Sequence, residues 1–176
     1  EGAERMQRLI EDLLSYSRVG TRGGVLVPVE ADEALDAALA SLTQAIRESN
    51  AVVTRGPLPR VLGDSGQLAQ LMQNLVGNAL KFRRDGAPHV HVSARRKGGD
   101  WIFTVQDDGI GIAPEHTERV FRVFQRLHPR EKYPGTGIGL AICKKIVERH
   151  GGRIWVEALA GPGTAISFSL PAGEEK

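Results

Sequence analysis

No apolar run in the chain approaches the ~20 residues that a membrane-spanning helix requires, and Glu1-Gly2-Ala3-Glu4 lacks the layout of a secretory signal. Direct membrane insertion of this chain is therefore not expected. There is one cysteine, Cys143, which permits no internal disulfide and fits a reducing, cytoplasmic compartment. Because it falls within an apolar helical pattern, it is read as a core thiol rather than a nucleophile. Charge of one sign is lacking as well. The 23 Lys and Arg against 21 Asp and Glu leave a net charge of +2, too small to argue for a nucleic-acid partner. Arg83-Arg84 and Arg95-Arg96-Lys97 read as solvated ends of loops and strands. No internal repeat or low-complexity tract is visible.

What is present suits a packed domain. Hydrophobic residues make up 41% and charged residues 25% of 176 positions, enough for one globular domain and an appended element. The first residue is not methionine, so the chain is expected to be a piece of a longer one. Residues 3 to 19 read as a helix unlike the rest. Met6, Leu9, Ile10, Leu13 and Leu14, with Ser17, form a stripe at a/d-like spacing, while Arg5, Arg8, Glu11 and Asp12 lie off it. Such a helix needs a partner. Gly20-Thr21-Arg22-Gly23-Gly24 then reads as a linker, which divides the chain into an element at 1–20 and a domain at 21–176.

Within the domain, Val25 to Glu30 suggests an edge strand, with Pro28 tolerated only where no ladder donor is needed. Asp32 is expected to cap a helix running through Ala45, followed by short strands at Ala51 to Arg55 and Arg60 to Leu62. Asp64 or Ser65 is expected to cap a helix running to about Phe82. His89 to Arg96 and Trp101 to Asp107 read as a hairpin through Gly98-Gly99. A short helix is expected over Glu115 to Phe124, and a longer one over Gly139 to His150. Strands at Arg153 to Glu157 and Thr164 to Leu170 close the chain. This pattern predicts an α+β fold, a two-layer α/β sandwich whose mixed, mostly antiparallel sheet is covered on one face by helices.

Three groups of residues carry chemistry. On the helix after Asp64, Leu68, Leu71, Met72, Leu75, Val76, Ala79 and Phe82 share the core face, and Asn74, Asn78 and Lys81 share a flank. An amide oxygen there suits Mg²⁺, a hard cation commonly shared with substrate phosphates, and the ammonium suits the phosphates themselves. Asp107 ends a strand before Gly109 and Gly111. Its carboxylate is able to accept from an exocyclic adenine amine while the glycines let the backbone approach a flat base. Gly135-Thr136-Gly137-Ile138-Gly139-Leu140 opens a helix, presenting backbone N–H groups and the positive end of the helix dipole to an anion. It is neither a Walker loop, since Lys144-Lys145 lies too far along, nor a dinucleotide fingerprint.

In this order and spacing, Asn74 to Phe82, Asp107 to Ile112, Gly135 to Leu140 and Gly161-Pro162-Gly163-Thr164 resemble the N, G1, G2 and G3 boxes of one superfamily. They are the boxes of the Bergerat-type ATP-binding fold shared by sensor histidine kinases, gyrase, the Hsp90 chaperones and MutL. The resemblance implies ATP and Mg²⁺ as ligands, with the adenine contact on Asp107 rather than Asp108. It implies catalytic roles for Asn74, Asn78 and Lys81, with Asn78 the metal ligand, and adds Gly109, Gly111, Gly135, Thr136, Gly137, Gly139, Leu140 and Thr164 to the nucleotide site. Gln125 to Pro134 is similar to the family's mobile ATP lid, and Phe121 and Phe124 match its F box.

Position 74 discriminates within the superfamily. Its hydrolases and serine kinases carry a glutamate there that activates water or a hydroxyl; an asparagine cannot take that proton, whereas a neutral imidazole needs no base. The chain thus resembles a sensor histidine kinase. Arg126-Leu127-His128 and Tyr133-Pro134 through Trp155-Val156-Glu157 are similar to the subgroup whose kinases follow phytochrome or PAS sensors. One departure matters: the family's phosphoacceptor is followed by Glu or Asp with a proline nearby, and none of His89, His91, His116, His128 or His150 is followed by an acid. Residues 1–20 match the end of the second helix of its dimerisation hairpin, so the acceptor is expected upstream. The implied partners are that dimerisation domain, a second copy of the parent chain and a response regulator receiver domain. An alternative function, compatible with the same boxes, is a nucleotide-dependent regulatory module of a phosphatase-biased sensor.

Overall fold

Apolar and polar side chains alternate along β7, with Ile166, Phe168 and Leu170 on one face and Ser167 and Ser169 on the other, and that alternation sets the face on which the domain assembles. The structure, a computed structural model, describes residues 1–173. Five strands form a mixed sheet in the order β2 (Val52–Arg55), β4 (His89–Lys97), β5 (Asp100–Asp107), β7 (Thr164–Pro171) and β6 (Ile154–Glu157). Only β2 and β4 are parallel; every other pair is antiparallel. Register places Val92 beside Val105, Val105 beside Ile166 and Phe103 beside Phe168, so one face of the sheet is continuously apolar. The Phe103 and Phe168 rings stack with centroids 5.0 Å apart, and both are fully buried. Burying each side chain contributes about 2–3 kcal/mol. On the opposite face Thr104 and Ser167 hydrogen-bond each other at 2.8 Å.

Helices α2 (Ala31–Ser41), α4 (Ser65–Lys81) and α5 (Gly139–Arg149) cover the apolar face, as the two-layer pattern predicts. The core stripe of α4 is buried from Leu68 to Ala79 in the expected spacing. Asp64 caps this helix, its carboxylate accepting from the Gln67 amide at 3.0 Å. β1 (Val27–Glu30), which begins two residues later than expected, pairs with β3 (Arg60–Gly63) as a separate two-stranded sheet.

Three local expectations are corrected. Glu30, not Asp32, occupies the N-cap position of α2; Asp32 lies in the first turn, where its carboxylate pairs with Arg55 at 3.1 Å. The helix also breaks at Leu42, and α3 (Thr43–Ser49) follows, with the Thr43 hydroxyl bonding back to the Ala40 carbonyl at 2.9 Å. Glu115 to Phe124 forms two single 3₁₀ turns, Pro114–His116 and Arg119–Phe121, instead of a helix. Of the residues in those turns, only Val120 and Phe121 are buried, too narrow an apolar face to hold a longer helix in place.

α1 spans Gly2–Thr21, so the linker starts at Arg22 rather than Gly20. Its C-terminal half lies on α4 and α5: Val19 is buried, Gln67 donates to the Val19 carbonyl at 2.9 Å, and Lys145 donates to the Tyr16 carbonyl at 2.8 Å. Leu9 of the predicted stripe is partly buried, while Met6, Ile10, Leu13 and Leu14 remain exposed.

Candidate functional site

Between α4, the ends of β5 and β7 and the segment leading into α5 lies a cavity of about 290 Å³. Eleven of the twelve residues singled out from the sequence line it: Asn74, Asn78, Lys81, Asp107, Gly111, Gly135, Thr136, Gly137, Gly139, Leu140 and Thr164. The twelfth, Gly109, is buried behind it and donates its amide to Asp107 Oδ1 at 2.8 Å.

Asp107 is placed by strand register, because β5 ends opposite the start of β7, Asp107 beside Thr164. The Thr164 amide also donates to Oδ1, at 3.3 Å, so a single carboxylate oxygen ties together the turns after both strands. Oδ2 is left for the cavity. Burial pushes the Asp107 carboxyl up to about 6, against the pull of the two amides and with a further push from Asp108. Asp108 points elsewhere, accepting from the His89 amide at 2.9 Å, which lowers its pKa. Gly163, at φ +106°, permits the close approach: a Cβ there would run into the Asp107 carbonyl.

On α4, Asn74 donates its Nδ2 to the Gly139 carbonyl at 3.3 Å, which fixes the amide and joins that helix to the first turn of α5. Asn78, one turn on, is half-buried against the cavity. Lys81 is held below the usual lysine range, first by burial and then by Arg126, with Asp12 opposing. The loop ahead of α5 folds back on the 3₁₀ segment through the Phe124 amide, which donates to the Gly137 carbonyl at 2.9 Å. Gly137 has φ +78°, and an added Cβ would meet Phe124 Cα at 3.1 Å.

Sequence reasoning missed Asp12, gave no individual role to the side chains of the lid-like segment Gln125 to Pro134, and placed on the core face of α4 a residue, Phe82, that lies just past the helix end at the cavity. Asp12 reaches the cavity from α1, where it was read as a charge off the apolar stripe, and it accepts a short hydrogen bond from the Thr136 hydroxyl. Arg126 donates to the Gly135 carbonyl and, at 2.6 Å, to the Tyr133 carbonyl. Phe82, His128 and Tyr133 form an aromatic cluster at the cavity, with centroids 5.1 to 5.8 Å apart. Burial, followed by the charge of Lys132, lowers the His128 pKa. No periodicity announces these contacts, because they depend on how the segment 125–134 folds over α4. Phe121 is buried, whereas Phe124 is exposed with φ +64°. Cys143 is fully buried, and burial pushes its thiol up to about 12, in keeping with a core thiol.

The lining suits a nucleotide. Apolar Ile112, Val120, Leu127 and Ile166 line the cavity beside the Asp107 carboxylate, and the Asn74 and Asn78 amides, the Lys81 ammonium and the open N-terminus of α5 supply polar groups. Residues 63–174 match the family model described as histidine kinase-, DNA gyrase B-, and HSP90-like ATPase. The chain belongs to this family. It is 51% identical to cyanobacterial phytochrome A of Nostoc sp. over 98% of its own length and 23% of that protein's. It is 47% identical to the phytochrome-like protein Cph1 of Synechocystis sp., again over 98% of this chain and 23% of the relative. The chain thus spans about a quarter of these relatives. Among solved structures, the mycobacterial sensor histidine kinase MprB is 34% identical at a TM-score of 0.69, over 84% of this chain and 97% of that one. Full-length ShkA, solved in complex with AMPPNP, is 30% identical at a TM-score of 0.76, over 93% of this chain and 35% of that one. Within the family, the chain is an ATP-binding catalytic domain of the histidine kinase type, similar to those of phytochromes.

Proposed function

We propose that this domain transfers the γ-phosphoryl group of ATP to a histidine on a dimerisation domain of its parent protein, which then passes the phosphate to a response regulator receiver domain. The observation that carries the reading is Asn74. Its amide is committed to the Gly139 carbonyl on the cavity wall, in the position where a hydrolase of the superfamily needs a carboxylate base.

The residues divide the work by chemistry. Asp107 Oδ2 accepts from the exocyclic amine of adenine, and Ile112 and Ile166 supply apolar contact for the base. Lys81 and the amides of Gly135 to Leu140 hold the phosphates, while Thr136 and Thr164 offer hydroxyl groups. Asn78 presents a side-chain oxygen for Mg²⁺. Among the described residues no group of three or more His, Cys, Asp and Glu gathers, so the donor set fits a cation shared with phosphate oxygens rather than an all-protein cage. Bound there, Mg²⁺ would offset charge on the β- and γ-phosphate oxygens. A neutral imidazole nitrogen supplies the lone pair: its bond to phosphorus forms as the bond to the β–γ bridging oxygen breaks, ADP departs, and the ring proton passes to solvent.

Residues 1–20 supply the end of the second helix of a dimerisation hairpin in this reading, and residues 21–176 the catalytic domain. The exposed Met6, Ile10, Leu13 and Leu14 support it, as a surface that a hairpin partner in a homodimer would cover. No helix of the described residues is long and apolar enough to cross a membrane, and the single buried thiol fits a cytoplasmic setting. None of the five histidines has an acceptor's neighbours. The test is incubation with Mg²⁺ and radiolabelled ATP, with and without the dimerisation domain of the parent protein. Acid-labile label is expected on the added domain alone. Label on this chain alone would refute the missing acceptor, and ATP binding without label on either protein would favour the phosphatase-biased regulatory reading.

A further inference from the structure

α1 makes three hydrogen bonds with α4 and α5 beside the packing of Leu9, Tyr16 and Val19: Gln70 with Ser15, Lys145 with the Tyr16 carbonyl, Gln67 with the Val19 carbonyl. One turn before Tyr16, Asp12 enters the cavity. Its Oδ2 accepts from the Thr136 hydroxyl in the loop that opens α5, and its charge acts on the Lys81 ammonium of α4. A carboxylate therefore bonds the Thr136 hydroxyl and shares the cavity lining with the Lys81 ammonium, both of them groups suited to phosphate oxygens. Two anions cannot share that corner, because their repulsion in a partly buried site far exceeds its value in water.

We propose that Asp12 sets nucleotide affinity from α1: its carboxylate holds the phosphate corner against Thr136 and Lys81, and a nucleoside triphosphate binds as α1 gives that corner up. The inference rests on the reading of the cavity as an ATP site. Displacing α1 sacrifices limited apolar burial: Val19 is the one fully buried residue of the helix, Leu9 and Tyr16 are partly buried, and Met6, Ile10, Leu13 and Leu14 are already exposed. Linkage makes the effect reciprocal. Whatever presses α1 onto the domain weakens nucleotide binding, and bound triphosphate loosens α1.

The experiment titrates AMPPNP with Mg²⁺, and separately adenosine, into the wild-type chain and Asp12→Asn by calorimetry. It also follows hydrogen exchange of the α1 amides with and without AMPPNP. Asp12→Asn should tighten AMPPNP on the order of tenfold, within the ordinary range of coupling between sites. Adenosine, which has no phosphate, should bind both proteins equally, a distinction that a purely structural role for Asp12 would not produce. AMPPNP should speed exchange over the second half of α1 in the wild-type chain. Equal AMPPNP affinities with unchanged α1 exchange would overturn the inference while leaving the ATP site intact. Weaker AMPPNP binding by the variant would overturn it too, and would make Asp12 a group that helps to hold the metal. Failure of both proteins to bind either ligand would remove the ATP reading and this inference with it.

Discussion

Asp107 and Thr164, 57 residues apart in sequence, meet where β5 and β7 end: the Thr164 amide donates to Asp107 Oδ1 at 3.3 Å. The Gly109 amide shares the same oxygen, so the orientation of the carboxylate is set before any ligand arrives. In Asp107→Asn the amide oxygen should keep both backbone donors, and its NH₂ then takes the place of Oδ2, facing adenine donor to donor. ATP affinity should fall roughly 10- to 100-fold, the cost of a buried unsatisfied donor at about 1–3 kcal/mol. Calorimetric titration of the folded variant measures this, and an unchanged affinity would remove Asp107 from the adenine contact.

The same carboxyl sets a pH dependence. Its pKa in the folded domain is pushed up to about 6 by burial, above the ordinary value near 3.8. The folded state therefore binds the extra proton, and stability from this group is fully present below about 3.8 and lost as pH rises through 6. Asp107→Asn should thus raise the melting temperature of the nucleotide-free domain at pH 8, with an advantage that shrinks as pH falls below 6. An advantage that stayed constant over this range would show that Asp107 titrates as an ordinary surface carboxylate.

Gly163→Ala tests the backbone approach that brings the two strand ends together. The new Cβ would strike the Asp107 carbonyl, and φ +106° is strained for any side chain. A destabilisation of about 2 kcal/mol or more is expected, read from the urea midpoint, together with weaker ATP binding because Asp107 shifts. Gly161→Ala, whose Cβ meets nothing within 4 Å, is the control and should be nearly silent.

For Asn78→Ala, the loss should depend on metal. If the Asn78 oxygen holds Mg²⁺, affinity for Mg²⁺·ATP should fall by roughly tenfold, while affinity for ATP in excess chelator stays near that of the wild-type chain. Equal losses with and without Mg²⁺ would assign Asn78 to the nucleotide itself.

The strands and the long helices were legible because each carries its own period: two along β4, β5 and β7, and 3.6 along α4, where Leu68 to Ala79 are buried in the predicted spacing. The flank shared by Asn74, Asn78 and Lys81 could be read for the same reason, since helix geometry alone puts them on one side. What stayed hidden depends on contacts between segments distant in sequence. Asp12 reaches Thr136 across 124 residues, and Phe82 meets Tyr133 because the chain from 125 to 134 folds back over α4. The helix expected over Glu115 to Phe124 failed because that segment buries only Val120 and Phe121 of its apolar residues and leaves Phe124 exposed, so packing does not hold a continuous helix in place.

His150 ties the C-terminal end of α5 to the cap of α4, and its burial gives a final prediction. The ring donates from Nδ1 to the Ile146 carbonyl at 2.7 Å and accepts at Nε2 from the Asp64 amide at 3.0 Å, so the neutral tautomer satisfies both partners. Protonation would put a second donor against that amide. Burial lowers the pKa below its ordinary 6.5, with Arg149 adding to the effect and the Ile146 carbonyl and Asp64 opposing it. A depressed folded pKa contributes stability that is present above about 6.5 and lost as pH falls through the folded value. This slope is opposite in sign to that of Asp107, and in the wild-type chain the two partly cancel. The measurement therefore belongs in the Asp107→Asn background, where the urea midpoint should hold steady above pH 7 and decline as pH falls below about 6.5. Adding His150→Gln, which keeps an acceptor and a donor without a titrating ring, should flatten that decline. A decline of equal steepness in the double variant would show that His150 does not carry the acid sensitivity of the junction between α4 and α5.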